Sequence, residues 1–97
     1  MIFDWNAAKE KDNIEKHHVN FTQAQKAFDD PLHFTRKDTR HSGRRNRYNE
    51  DRFFCYGCDE YGVLTVRYTR RNHITWIFGA GYWNEGEELY AAKNWDG

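Results

Sequence analysis

Proline occurs once in 97 residues, methionine once and cysteine twice, and the formal charge at neutral pH is zero. Two cysteines cannot complete a tetrahedral zinc site. No second pair exists, and the five histidines are scattered along the chain. Cys55 and Cys58 do have the C-x-x-C spacing, but a thioredoxin-like pair opens a helix after a strand. Cys55 instead falls inside a strand-like run. Two structural thiols are therefore expected, with no metal and no cofactor. No apolar run approaches the ~20 residues of a membrane span, and no signal-peptide pattern is visible. The expected setting is the cytoplasm, without a membrane partner. There is no internal repeat. At this length one domain over residues 1–97 is expected, with a modest single core.

Aromatic residues are plentiful: four tryptophans, six tyrosines and seven phenylalanines. Low mean hydropathy would otherwise suggest disorder, but this many rings argue for a packed globule. Net neutrality also hides an asymmetry. Residues 36–52 hold seven cations against three anions, whereas residues 85–97 hold Glu85, Glu87, Glu88 and Asp96 against Lys93 alone.

Asn72–Lys93 organises the rest. Ile74-Thr75-Trp76-Ile77-Phe78 suits a buried central strand, and Gly79-Ala80-Gly81 suits a bend. Tyr82 and Trp83 follow, and an acidic start with Lys93 near the end suits a closing helix. Upstream, Ile2-Phe3 and Trp5 are strand-like. Asn6 can cap a helix over Ala7–Lys16, and Asn20 a second with Phe21, Ala24 and Phe28 on one face. Asp29-Asp30-Pro31 ends it. Leu32–Lys37, Arg52–Tyr56 and Val63–Thr69 read as strands, with a long exposed loop at Asp38–Asn49 and a tight turn at Arg70–His73. The predicted fold is α+β: two N-terminal helices, an antiparallel meander sheet of about four strands, and a C-terminal helix.

Several groups could carry chemistry. His17 and Lys16 end the first helix, where they serve equally as a solvated cationic cap or as a proton-transfer pair. Arg44, Arg45 and Arg47, with Tyr48 among them, fit either a solvated loop or a phosphate-contacting surface. Arg52, Arg67, Arg70 and Arg71 lie on or at the ends of strands, which can hold guanidinium groups rigidly against a charged phosphorane or in salt bridges. Tyr82 and Trp83 either seal the last helix or stack bases.

The strings FDWNAAKEKDNIEKHHVNFTQAQKAF, EDRFFCYG, GVLTVRYTRR and IFGAGYW, in this order and spacing, resemble the BrnT family of type II toxin–antitoxin toxins. That resemblance spans nearly the whole chain. It implies a RelE-like fold and metal-independent RNA cleavage. It also implies a BrnA-like antitoxin partner in a toxin–antitoxin heterotetramer, with operator DNA reached only through the antitoxin. The matching polar positions are Lys16, His17, Arg52, Arg67 and Arg70, the expected catalytic set; Arg44, Arg45, Arg47, Arg71, Tyr82 and Trp83 are the expected RNA contacts. The chain departs from the family pattern at Trp76, where relatives carry arginine, at Glu85 and Glu87, where they are basic, and at His18, often a glycine. These departures keep a second expectation open, an inactive antitoxin-binding co-repressor.

Overall fold

The computed structural model describes residues 1–95; Asp96, counted above in the acidic tail, lies outside the described residues. Five strands form one mixed sheet: β1 (Ile2–Trp5), β2 (Phe34–Lys37), β3 (Arg52–Cys58), β4 (Val63–Arg71) and β5 (Ile74–Gly81), ordered β1-β5-β4-β3-β2. The helices are α1 (Ala7–His17), the short α2 (Phe21–Ala24) and α3 (Lys26–Asp29), and α4 (Asn84–Asn94). The α+β class holds, but the four-strand antiparallel meander is corrected in three ways. β1 joins as a fifth strand parallel to β5, β4 rather than β5 is the middle strand, and the second helix breaks at Gln25.

Both predicted caps form. Asn6 Oδ1 accepts from the Ala8 and Lys9 amides, and Asn20 Oδ1 from the Gln23 amide, satisfying donors that have no intrahelical partner. His18 closes α1 at φ 61, the left-handed position that glycine fills most easily. On one sheet face Val19, Phe21, Ala24 and Ala27 pack on Cys55, Leu64, Val66, Tyr68, Ile77 and Ala80 to make the core. α3 can approach because Gly57 has no side chain; a Cβ there would lie 2.0 Å from the Ala27 carbonyl oxygen. Asp30, following α3, ties this layer to α4: its carboxylate accepts from the Tyr90 hydroxyl and the Cys58 amide.

Cys55 and Cys58, three apart on β3, project from opposite faces of the sheet. Burial pushes the Cys55 thiol up to about 12, as suits an inert core thiol.

The expected bend at Gly79–Gly81 is corrected as well, because all three residues stay in β5. Irregularity enters one residue earlier. Tyr68 pairs with Ile77 and Arg67 with Gly79, so Phe78 is an extra residue, a β-bulge. The tight turn shrinks to Asn72 and His73, both at positive φ, so β4 extends through Arg71. The Asp38–Asn49 loop is more ordered than its composition suggests, with Asp38 and Ser42 buried and a single 3₁₀ turn over Gly43–Arg45. Asn46 braces it, donating to the His41 and Glu50 carbonyls and accepting from the Tyr48 and Glu50 amides.

Candidate functional site

The second sheet face is only partly covered. α4 crosses one end, where Gly86 sits against Thr65 and Tyr56; a Cβ on Gly86 would fall 1.9 Å from Thr65 Oγ1. Beyond α4 the floor is open, and strand pairing sets its residues side by side: Phe54 opposite Arg67, Arg52 opposite Thr69, Thr69 opposite Trp76. The bulge brings Phe78 onto this floor, with the Arg52 guanidinium 4.2 Å from its ring centre.

α1 forms one wall. β1 pairs with β5 only as far as Trp5 and Ile77, and beyond that Asn13 takes over the exposed strand edge. Its side-chain amide donates to the Val19 and Ala80 carbonyls at 2.9 Å each and accepts from the Ala80 amide at 3.1 Å. The side chain thus stands in for a strand residue. Lys9, Asn13, Lys16 and His17 recur at helical spacing, so the contact that docks α1 turns the other three toward the sheet.

Two adjoining clefts result. The first, about 230 Å³, is lined by Lys9, Asp12, Asn13, Lys16, His17, Arg67 and Trp83. The His17 and Trp83 rings meet edge to face, centres 5.1 Å apart. Lys16 forms an exposed pair with Asp12 at 3.0 Å, and Gly79 leaves room beside Arg67. The second, about 420 Å³, is lined by Lys9, Tyr48, Arg52, Arg71, Trp76 and Phe78, with Arg47 at its edge. Arg71 donates twice to the Glu50 carboxylate, at 2.9 and 2.7 Å, and Arg52 lies 3.7 Å from it. The Arg71 hydrogen bonds hold the Glu50 carboxyl below the usual carboxylate range against the opposing effect of burial. Arg52 Nε is buried and has no hydrogen-bond partner among the described residues. A wider depression of about 620 Å³ runs along β2 and the arginine loop, but Asp38 and Glu85 offset its cations.

A family model for the ribonuclease toxin, BrnT, of type II toxin–antitoxin systems matches residues 5–87. The chain belongs to the BrnT family. No curated individual protein matches it. The family's toxins are ribonucleases of type II toxin–antitoxin systems, which implies an RNA target and a protein antitoxin as partner. The BrnT match includes every residue named in both clefts and stops in the first turn of α4.

Of the catalytic set expected from the BrnT resemblance, Lys16, His17 and Arg67 share the first cleft and Arg52 lines the second. Arg70 is not brought to them. It precedes Arg71 on β4, so it leaves from the opposite face, and it is exposed there. Among the expected RNA contacts, Trp83 lines the first cleft and Arg47 and Arg71 the second. Arg44 and Arg45 lie exposed on the 3₁₀ turn, with Arg45 donating to the Thr39 carbonyl. Tyr82 lies away from both clefts, its hydroxyl held by Asp59 and Gln23. Lys9, Asn13 and Glu50 escaped the sequence reading. The i, i+4, i+7/i+8 spacing of Lys9 and Asn13 with Lys16 and His17 was the available signal for the first two.

Proposed function

We propose that the chain is a metal-independent endoribonuclease toxin whose scissile phosphate sits in the first cleft. The observation that carries this reading is the convergence on one opening of Lys9, Lys16 and His17 from α1, which Asn13 docks on β5, and Arg67 from the neighbouring strand β4. A ribose 2′-hydroxyl attacks the adjacent phosphorus, the phosphorane gains negative charge, and the 5′-oxygen leaves with a proton. His17 is the proton-transfer group, since an imidazole can both take and give a proton. Lys16 is the second group placed for that role. Arg67 and Lys9 meet the developing charge, and Arg52, lining the adjoining cleft, extends the cationic floor. Arg44, Arg45 and Arg47 hold the strand outside the cleft by its phosphates. A BrnA-like antitoxin neutralises the toxin in a heterotetramer and carries it to operator DNA, and the whole cycle takes place in the cytoplasm.

Induction of the chain alone should arrest bacterial growth, and co-expression of a BrnA-like antitoxin should restore it. His17→Ala and Arg67→Ala should each abolish the arrest while remaining folded. Unimpeded growth with abundant folded protein would overturn the reading. That result would favour an inactive antitoxin-binding co-repressor, a reading to which Glu50 lends some support by already neutralising Arg71 beside Arg52.

A further inference from the structure

Resting on the ribonuclease reading, we propose that the cleft lined by Tyr48, Arg71 and Trp76 seats one nucleobase of the RNA strand, beside the phosphate at Arg67 and His17. The second cleft is built from flat groups. The Arg71 guanidinium lies 5.1 Å from the Tyr48 ring centre, 5.4 Å from Trp76 and 5.7 Å from Phe78. Its two hydrogen bonds to Glu50 fix its plane, so it forms a rigid platform rather than a swinging charge. Such surfaces stack nucleobases, because every base has a π-face.

Glu50 sits against Arg71 and near Arg52 and offsets one of the four cations Lys9, Arg47, Arg52 and Arg71, so Arg71 presents a flat, held face rather than a free charge. The Arg52 guanidinium closes the floor, 4.2 Å from the Phe78 ring centre. Lys9 and Phe78 line both clefts, so a strand whose phosphate occupies the first passes directly into the second. Tyr48 is exposed on the loop braced by Asn46, which holds the upper wall in position without a partner chain.

The test uses a single-stranded 2′-deoxy tetranucleotide, which lacks the attacking hydroxyl and stays intact. Trp76→Leu and Tyr48→Leu, each verified by circular dichroism and thermal midpoint, should weaken its binding about tenfold. An abasic site at one position should weaken wild-type binding by a similar factor and add nothing to the Trp76→Leu loss. Unchanged affinity in both folded variants overturns the proposal, as do additive losses at every position. Loss of antitoxin binding with tetranucleotide affinity unchanged also overturns it, and gives the cleft to a protein partner. Failure of the ribonuclease reading is distinguishable: base-dependent binding would persist while the matching RNA tetranucleotide stayed uncleaved.

Discussion

Replacing Asn13 with alanine should be among the most damaging single changes, because one side chain serves three buried backbone groups. The Ala80 amide, the Ala80 carbonyl and the Val19 carbonyl would all lose their partner at once. A buried group left unsatisfied costs about 1–3 kcal/mol, and three such losses in one pocket are not additive, so about 3 kcal/mol is expected. With a urea m-value of about 1–1.5 kcal/mol/M, the unfolding midpoint should fall by about 2–3 M. Asn13→Asp sharpens the reasoning. Its carboxylate could still accept from the Ala80 amide but would face two carbonyl oxygens with nothing to donate. Its folded pKa should therefore rise above the unfolded value of about 3.9. Whatever stability the protonated form keeps is present below that value and lost as pH rises. Relative to wild type, Asn13→Asp should thus be more destabilised at pH 7 than at pH 4. An Asn13→Ala loss under 1 kcal/mol, or an Asn13→Asp deficit independent of pH, would refute the account of how α1 is docked.

Other changes probe the frame around the face. His18→Gly should stabilise the chain by about 0.5–1 kcal/mol, read as a few degrees in Tm, because φ 61 strains a residue with a Cβ. Gly57→Ala should cost about 2–3 kcal/mol by urea denaturation, since the new methyl meets the Ala27 backbone; Gly43→Ala, with open space around it, should cost only its backbone strain of about 1 kcal/mol. Burial opposes ionisation of Asp30, but hydrogen bonds from Tyr90, Cys58 and Leu32 outweigh it and hold the carboxyl below its ordinary value. The stability from that depressed pKa is present above pH ~3.9 and lost as pH falls through the lower folded value. Asp30→Asn should therefore cost about 1–2 kcal/mol at pH 7, with the gap closing as pH falls through the depressed folded value.

Much of the frame was legible because it rests on local rules. Asn6 and Asn20 are capping residues at the start of helical runs, and RFFCY and VLTVRYT alternate or cluster as strands do. The misses have a common cause in long-range pairing. β1 is only four residues long, and its partner lies about seventy residues away, so nothing local signals a parallel strand. Glycines at 79 and 81 suggested a bend, but there they make room: a Cβ on Gly81 would lie 2.5 Å from the Trp83 indole. Arg70 falls on the other face for a different reason. The alternation that put Arg67 on one face with Thr65 and Thr69 continues to Arg71, so Arg71, not Arg70, joins it once the strand is allowed two more residues. In the arginine loop, composition predicted exposure. Asp38 and Ser42 are nonetheless buried, because their polar atoms find partners within the loop and at Arg52.

The most direct measurement is cleavage of a defined single-stranded RNA by the purified chain in excess EDTA, with the product ends identified. Products ending in a 2′,3′-cyclic phosphate are expected. A single 2′-deoxy substitution at the scissile nucleotide should abolish cleavage there, and Arg67→Ala and His17→Ala should each slow the reaction about 10²-fold or more. Cleavage that survives the 2′-deoxy substitution, requires added metal, or proceeds unchanged in both variants would contradict it.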